Sequence, residues 1–287
     1  MSRPDLLVVG DAVLDVVARS GPFAEEGDVR GLVTVRAGGQ GANVAVWAAS
    51  EGLAARLVSR VGDDPAGRVV REEIEARGVE VDLGVDPGRP TGTLLVHVEG
   101  GERSMVADRG AAGWLPVDGL PEALGARAVF VSGYLLFDET SEGAGIAALE
   151  RARADHVAVE ASSWPLLEAY GADRFLESTR PATILFANER EAEVLAGVEA
   201  AEAPRKLAER YETVCVKRGA EGAVLAAGDL LLATPARETG IADPTGAGDA
   251  FDAAFLAALL RGAALGRALD HANTTGAWVA GHGTAWP

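Results

Sequence analysis

Short runs of β-branched and other apolar residues alternate along this chain with alanine-rich stretches in which apolar residues recur at helical spacing. The apolar runs predict strands at residues 6–10, 55–61, 128–133, 157–160, 183–187, 213–216 and 223–226. The periodic stretches predict helices at residues 41–51, 65–77, 141–154, 189–196, 247–260 and 265–280. Strands that alternate with helices are typical of the α/β class, in which helices cover both faces of a mainly parallel sheet.

Two stretches depart from this rhythm. Residues 29–36 and 92–105 alternate apolar and polar positions, and no helical period separates them from the neighbouring strand signals. We therefore expect a small β appendage, such as a lid, formed discontinuously by residues from about 12–37 and 88–108. Because the chain shows neither an internal repeat nor a low-complexity linker, we expect one domain over residues 1–287 that contains this appendage.

Composition narrows the classes of function. The 287 residues include 43 acidic and 26 basic ones, so the formal net charge is −17. Binding to a nucleic-acid backbone needs a basic footprint, whereas a nucleotide needs only a local pocket. The single cysteine, Cys215, excludes an intrachain disulfide and a cysteine metal site. No run approaches the ~18 apolar residues of a membrane helix, and we expect a cytoplasmic protein with neither membrane nor nucleic-acid partners.

The segment that carries most chemistry is Asp-Pro-Thr-Gly-Ala-Gly-Asp-Ala-Phe at residues 243–251. Gly246 and Gly248 lie where the chain enters a predicted helix, and glycines there allow backbone N–H groups to converge on an anion. Asp249 falls in the first helical turn, where a carboxylate also interacts favourably with the helix dipole. The segment thus predicts either an anion site with a proton-accepting carboxylate or an ordinary helix start.

The same segment resembles the C-terminal signature of the ribokinase-like (PfkB) carbohydrate kinases. The N-terminal signature of that family is similar to Gly-Gly-Gln-Gly-Ala-Asn-Val-Ala at residues 38–45. The two motifs lie at the expected ends of the chain, and the resemblance covers nearly its full length. It implies a three-layer α/β/α sandwich with a mainly parallel central sheet and a small β-sheet lid, and it implies ATP and Mg²⁺ as the cofactors.

The resemblance also implies roles for individual residues at the reacting end. Asp249 matches the catalytic base, which takes the proton from the acceptor hydroxyl. The anion hole, which stabilises charge on the transferred phosphoryl group, corresponds to the backbone N–H groups of Gly246, Ala247 and Gly248. The sugar-binding positions correspond to Asp15, Gly39 and Asn43. For the paired glycines at 38–39 alone, a tight turn is the alternative interpretation.

On the nucleotide side, Asn188 and Glu191 match an Asn-x-x-Glu motif that orders magnesium, with Glu191 acting largely through water. Such a pair is also typical of a helix cap. Positions that pass the nucleotide phosphates correspond to Lys217, Gly219 and Gly222, although Lys217 could instead end a solvated strand.

Three further positions are implied near the nucleotide. Asn273 matches a position near the adenine, unless it is an exposed helical residue. Asp243 and Thr245 match positions whose backbone oxygens hold a monovalent cation in many members, so K⁺ is a candidate as well.

Several positions differ from the ribokinase pattern and weaken ribose as the substrate. Val13 replaces an Asn that helps to bind the sugar, Gln40 replaces a common Lys, and Ala112 replaces a usual Asn. Arg109 could contact an acidic or polar sugar from the lid side, and Tyr134 could line the same pocket, although both could be structural.

These observations predict an ATP-dependent sugar kinase that phosphorylates a hydroxyl, which we expect to be primary, on a sugar or sugar-like substrate. The alternatives are a nucleoside kinase of the same family and a non-catalytic sugar- or nucleotide-binding regulator. A small β appendage has exposed edges and a poor core of its own, so we also expect a homodimer that forms through the lid.

Overall fold

A nine-stranded sheet forms the centre of the protein in a computed structural model. The structure describes residues 3–22, 27–99, 102–237, 240, 244–283 and 285–287. The strands are β1 Leu6–Val9, β2 Val13–Ser20, β3 Gly31–Gly38, β4 Ala55–Gly62, β5 Glu80–Asp86, β6 Thr91–Glu99, β7 Glu102–Gly110, β8 Leu124–Gly125, β9 Ala128–Ser132, β10 Ala152–Arg153, β11 His156–Glu160, β12 Ile184–Asn188, β13 Thr213–Lys217, β14 Ala223–Ala227 and β15 Leu230–Thr234.

The α-helices mostly follow strands of this sheet. They are α1 Gln40–Ser50, α2 Pro65–Glu75, α3 Tyr134–Phe137, α4 Glu142–Arg151, α5 Trp164–Tyr170, α6 Ala172–Ser178, α7 Glu189–Ala196, α8 Ala203–Leu207, α9 Ala247–Leu260 and α10 Leu265–His282. None of the described helices is long and apolar enough to cross a membrane.

The sheet order is β15-β14-β13-β12-β11-β9-β1-β4-β5. The strands from β13 to β5 are parallel, and β14 and β15 extend one edge in antiparallel pairing. Successive side chains of a strand face opposite sides of a sheet, so Leu6 and Val8 enter one core while Leu7 and Val9 enter the other. The first core packs under α1, α9 and α10, and the second under α4 to α8. The expected three-layer α/β/α sandwich is confirmed.

A second sheet of four strands, in the order β3-β2-β6-β7, lies apart from the central one. The β2–β3 and β6–β7 pairs are antiparallel, and β2 and β6 are parallel. A row of four apolar residues crosses one face, because the strand register pairs Val35 with Val16, Val16 with Leu95 and Leu95 with Val106. Three of these side chains are largely exposed: Val35 by 54%, Leu95 by 42% and Val106 by 67%.

The structure differs from the sequence predictions at several elements. The helix predicted at 141–154 ends at Arg151, because Ala152 and Arg153 pair with Leu124 and Gly125 as a two-stranded sheet. The alternating stretch at 92–105 falls in two strands, β6 and β7, which pair with each other in antiparallel fashion. Strands β5 and β15 were not predicted. Both lie at edges of the central sheet; polar residues interrupt the apolar ones in β5, whereas β15 carries an apolar run, Leu-Leu-Leu-Ala, that is typical of a strand.

Candidate active site

A cavity of about 1050 Å³ lies between the carboxyl ends of the parallel strands and the four-stranded sheet. Parallel sheets bind ligands at this end of their strands. Its lining includes the side chains that end β11, β12 and β13, namely Glu160, Asn188 and Lys217. Every candidate residue named from the sequence lines this cavity except Asp243, which lies outside the described residues.

The glycine-rich segment forms the start of α9. Gly246 has φ of 78°, a left-handed conformation that favours glycine, and a Cβ there would lie 3.0 Å from the Cα of Ala285. The first N–H groups of a helix lack intrahelical acceptors, so they are available to an anion. In this structure the Ala247 N–H donates to the Pro244 carbonyl at 3.1 Å, so that one amide is already engaged.

Asp249 lies in the first turn of α9 and faces α1. Asn43 Nδ2 donates a hydrogen bond to Asp249 Oδ2 at 2.7 Å. Desolvation in the cavity raises the pKa of Asp249 to about 7, although the Asn43 hydrogen bond and the charge of Lys217 act to lower it. A carboxylate with such a pKa is matched to proton transfer near neutral pH. Asn43 thus contacts the Asp249 carboxylate and also lines the cavity, so its role in binding the sugar stays a prediction.

Lys217 belongs to a buried cluster of charges beneath the start of α9. Its Nζ lies 2.7 Å from Glu160 Oε2 and 3.0 Å from Asp252 Oδ1. Asp252 is completely buried, and a Cβ on Gly248 would lie 3.4 Å from the Lys217 Nζ. The two carboxylates raise the pKa of Lys217 against the effect of burial, so the amine stays charged. The solvated strand end considered for Lys217 is therefore wrong.

Asn188 and Glu191 form a reciprocal cap at the start of α7. Glu191 N–H donates to Asn188 Oδ1 at 2.9 Å, and Asn188 N–H donates to Glu191 Oε2 at 2.8 Å. The cap interpretation is thus correct, and it leaves the magnesium interpretation open because Glu191 also lines the cavity. Burial and the nearby charge of Glu160 raise the pKa of Glu191 to about 7.

A sparse magnesium site fits this arrangement. Mg²⁺ keeps several waters and takes one or two carboxylates together with substrate phosphates. Glu191 supplies one buried carboxylate, and the capping pair uses only its Oε2. No group of three or more His, Cys, Asp or Glu that could hold a metal ion occurs within the described ranges. The residues present therefore fit a metal held mainly by water and phosphate.

The opposite end of the cavity carries buried polar atoms without partners. Asp15 is 3% exposed, and its Oδ1 makes no hydrogen bond to any described residue. Burial raises the pKa of Asp15 to about 6, partly offset by Arg36, whose Nε lies 3.9 Å from Oδ2. A Cβ on Gly38 would come within 2.2 Å of this carboxylate, so the glycine signature makes room for Asp15.

Arg109 meets a partner that the sequence did not indicate. Its Nε lies 2.7 Å from Asp138 Oδ2, in an ion pair whose angle does not allow a hydrogen bond. Its guanidinium also lies over the ring of Tyr134, with 5.0 Å between the guanidinium carbon and the ring centroid. Burial raises the pKa of Tyr134, so the phenol stays protonated. Arg109 is thus both structural and part of the cavity wall.

Gln40 was expected only as a departure from the family pattern, and the structure gives it a contact role. Its Oε1 accepts hydrogen bonds from Ser132 Oγ at 2.6 Å and from Ser162 Oγ at 2.8 Å. Ser162 has φ of 67°, the one positive φ at a non-glycine residue in the part of the chain that the structure describes. Gly39, whose φ is 94°, precedes Gln40 and begins α1. Two hydroxyl donors therefore fix the Gln40 amide at the cavity wall.

The remaining nucleotide-side candidates are held by backbone contacts. Asn273 is 7% exposed, and its Nδ2 donates to the Pro235 carbonyl at 2.7 Å, so the exposed helical position considered for it is wrong. Gly222 has φ of 91°, and a Cβ there would lie 2.0 Å from the Thr234 carbonyl oxygen. Gly219 has φ of 53° in the same turn. These glycines let the turn after β13 pass close to the end of β15.

Comparisons with known proteins agree with this geometry. The profile of the family described as pfkB family carbohydrate kinase matches residues 3–285. A 2-dehydro-3-deoxygluconokinase of Thermoproteus tenax is 33% identical over 266 residues, which cover 85% of this chain and 79% of the relative. An ATP-dependent ribose-1-phosphate kinase of Halopiger xanaduensis is 32% identical over 85% of this chain and 80% of the relative.

Solved structures give the same result for the fold. The crystal structure of an adenosine kinase from Sinorhizobium meliloti superposes with a TM-score of 0.89 at 25% identity. The match covers 100% of this chain and 96% of that one. That enzyme is named for a nucleoside acceptor, whereas the two relatives above are named for a sugar acid and a sugar phosphate.

Proposed function

Because this chain belongs to the pfkB family of carbohydrate kinases and is therefore a phosphotransferase, we propose that it transfers the γ-phosphoryl group of ATP to a hydroxyl of an uncharged sugar. The observation that carries the proposal is the position of Asp249. This carboxylate of raised pKa lies beside the glycine start of α9, in the cavity that Asp15 also lines. The same cavity thus contains the proposed base Asp249, an anion site at the start of α9, and Asp15, which can accept hydrogen bonds from sugar hydroxyls.

Asp249 acts as the general base in this proposal. Its carboxylate takes the proton of the acceptor hydroxyl as that oxygen attacks the γ-phosphorus, and the bond from phosphorus to the bridging oxygen of ADP breaks. The N–H groups of Gly246 and Gly248 at the start of α9 and the charge of Lys217 stabilise the developing negative charge. Magnesium, when bound through Glu191 and water, neutralises phosphate charge. Activity is expected to rise with pH through about 7, because only the ionised Asp249 accepts a proton.

The nucleotide side of the proposal follows the remaining cavity residues. Asn188 orders water near the metal, Gly219 and Gly222 let the turn after β13 pass the phosphates, and Asn273 lies beside the adenine. All four line the cavity. For K⁺, the backbone oxygens of Asp243 and Thr245 remain candidates, and an assay in KCl against NaCl would test them.

The charge at the sugar end supports an uncharged acceptor. The cavity wall there contains Asp11, Asp15, Asp108 and Asp138, against Arg109. Arg109 is already paired with Asp138. A carboxylate or phosphate on the acceptor would have to displace Asp138 and approach the other acids at a Coulombic cost. Hydroxyl groups, in contrast, can donate to Asp15 Oδ1. This chain is thus proposed to differ from its relatives named for a sugar acid and a sugar phosphate.

The four-stranded sheet is proposed to act as the lid. It contributes Asp15, Leu94 and Ala107 to the cavity wall, opposite the catalytic end. Its movement toward the central sheet would exclude water, which favours transfer to the acceptor over hydrolysis of ATP. The bounds of about 12–37 and 88–108 remain our proposal for this lid, within a single domain over residues 1–287.

A nucleoside acceptor is the second candidate. Phe137 and Leu166 line the cavity beside Tyr134 and offer an apolar surface to a base. The similarity to the structure named as an adenosine kinase also favours this candidate. A non-catalytic regulator is less favoured, because Asp249 is present with its Asn43 partner.

The test is an ADP-release assay with Mg-ATP against neutral pentoses and hexoses, their acid and phosphate forms, and nucleosides. We expect turnover on a neutral sugar that the Asp249→Asn variant loses. Turnover confined to a nucleoside would support the second candidate, and turnover confined to anionic sugars would contradict the charge argument. Turnover by Asp249→Asn at the wild-type rate would contradict the proposed base.

Two coarser expectations complete the proposal. The exposed apolar row Val35, Val16, Leu95 and Val106 supports a homodimer through the lid. Light scattering at micromolar concentration tests it, and Val106→Lys should then give a monomer.

We also place the protein in the cytoplasm, where its proposed substrate ATP is made available.

A further inference from the structure

We propose that Trp286 is a positioning residue for the reaction, which aims the catalytic carboxylate through Asn43. This inference rests on the proposed function, because it assigns a task to Asp249. Trp286 Nε1–H donates to Asn43 Oδ1 at 2.7 Å, and Asn43 Nδ2 donates to Asp249 Oδ2 at 2.7 Å. Residue 286 is thus connected to residue 249 by two short hydrogen bonds and one side-chain amide.

The chemistry of the three groups permits only one arrangement. An indole N–H can only donate, and an ionised carboxylate can only accept. The amide between them must therefore turn its oxygen toward Trp286 and its nitrogen toward Asp249. A flipped amide would set donor against donor and acceptor against acceptor. Trp286 thereby determines which atom Asn43 presents to the base.

The packing around this relay holds it firmly. Trp286 is 5% exposed and Asn43 is 7% exposed. The Ala285 carbonyl accepts a hydrogen bond from Trp47 Nε1 at 2.8 Å, and the Arg77 guanidinium lies 4.9 Å from the Trp286 ring centroid. Ala285 also packs against Gly246. Residues 285 and 286 therefore contact both the start of α9 and the partner of its carboxylate.

Loss of the indole donor has a defined consequence for the base. Phenylalanine keeps an aromatic ring in the site but has no N–H, so Asn43 Oδ1 loses its partner and the amide can rotate away from Asp249. The Asn43 hydrogen bond lowers the pKa of Asp249, and its weakening raises that pKa. The charged groups that also act on Asp249 are Lys217, Glu160 and Asp11, and the substitution leaves all three unchanged.

The experiment compares three Trp→Phe variants of the full chain. For Trp286→Phe we expect kcat to fall about fivefold, the size of one hydrogen bond, with KM for both substrates nearly unchanged. The acidic limb of the kcat profile should move to higher pH by roughly half a unit. The controls are Trp114→Phe and Trp278→Phe, at tryptophans that are 43% and 44% exposed. Neither should move the limb.

A second measurement does not depend on turnover. The indole Nε1–H signal of Trp286, assigned with Trp286→Phe, should titrate in the NMR spectrum with the midpoint of Asp249 and stop titrating in Asp249→Asn. In an Asn43→Ala background, Trp286→Phe should have no further effect on kcat. An indole signal that does not titrate, an unchanged acidic limb in Trp286→Phe or an equal shift of that limb in Trp278→Phe would each overturn the relay. Wild-type protein that turns over no sugar would instead count against the proposed function.

Discussion

The two ends of the cavity differ in how far their polar groups are already satisfied. At the phosphoryl end, Lys217 pairs with two carboxylates, Asp249 accepts from Asn43, and Glu191 closes a helix cap. At the sugar end, Asp15 Oδ1 is buried without a hydrogen-bond partner among the described residues, as are Arg109 Nη2 and Asp138 Oδ2. Unmade buried hydrogen bonds cost free energy. The phosphoryl end is therefore preorganised, and under the proposed function the sugar supplies the hydrogen bonds that the sugar end lacks.

The largest expected effect is the loss of the base at the preorganised end. Asp249→Asn should lower kcat by about a hundredfold to ten-thousandfold, because the amide cannot take the hydroxyl proton, while KM for ATP changes little. Steady-state kinetics measures both constants. Asp118→Asn, at an exposed acid in the first turn of a short 3-10 helix, is the matched control and should behave as wild type. A loss of less than tenfold in Asp249→Asn would mean that the base lies elsewhere.

The next effect tests whether the buried charges at the phosphoryl end depend on one another. Lys217→Met leaves Glu160 and Asp252 buried without their cation, which should lower the free energy of unfolding by about 3–5 kcal/mol. Urea unfolding monitored by circular dichroism measures this loss. The one other lysine, Lys206, is exposed, and Lys206→Met should change stability by less than about 0.5 kcal/mol.

Glu160→Gln added to Lys217→Met should recover part of that loss, because Lys217 lowers the pKa of Glu160 and the substitution removes the charge that is left unpaired. If the single variant is as stable as wild type, Lys217 does not hold the cluster together and the contrast between the two ends is smaller than the contacts indicate.

The third effect concerns the sugar end. Asp15→Asn removes the carboxylate that is proposed to accept a hydrogen bond from a sugar hydroxyl. The kcat/KM for the sugar should therefore fall by about ten- to a hundredfold, which corresponds to the free energy of a hydrogen bond to a charged group. The KM for ATP should stay unchanged. Asp108→Asn is the matched control, since Asp108 also lines the cavity but already accepts from the Gly110 N–H. An equal rise in KM for ATP would show that the two ends are not separate.

Local motifs predicted the local geometry at the starts of α9 and α7 better than they predicted the side-chain contacts that hold those residues in place. The glycines before Asp249 and the Asn188–Glu191 pair are short-range features, so their spacing in the sequence already determines their geometry. The contact between Lys217 and Glu160 spans 57 positions, and that between Trp286 and Asn43 spans 243. Such contacts arise from tertiary packing, which strand and helix patterns do not specify.

One signal for the buried cluster was nevertheless available. Asp252 interrupts an otherwise apolar stretch of α9, and an acid in such a position is expected to have a buried partner. The fold itself was predictable from the apolar pattern of its buried strands. The buried strands carry continuous apolar runs, whereas acidic residues interrupt the edge strand β5. The other edge strand, β15, carries an apolar run although most of its residues are exposed, and it was missed as well.

The smallest expected effect is a pH dependence of the stability of the protein without ligands. Buried carboxyl groups at both ends of the cavity contribute to it. Burial raises the pKa of Asp249 and Glu191 to about 7 and that of Asp15 to about 6. A carboxyl whose pKa is higher in the folded state binds its proton more tightly there, so this contribution to stability is complete below the unfolded pKa near 4 and disappears as pH rises through 6 to 7. Thermal unfolding should therefore show Asp249→Asn more stable than wild type at pH 8 by about 1 kcal/mol, or about 2–4 °C. The difference should shrink at pH 5, where wild-type Asp249 is protonated and uncharged like asparagine. A gain of equal size at both pH values would mean that the ionised Asp249 carboxylate does not destabilise the folded protein. Its environment would then be less desolvated than its contacts indicate.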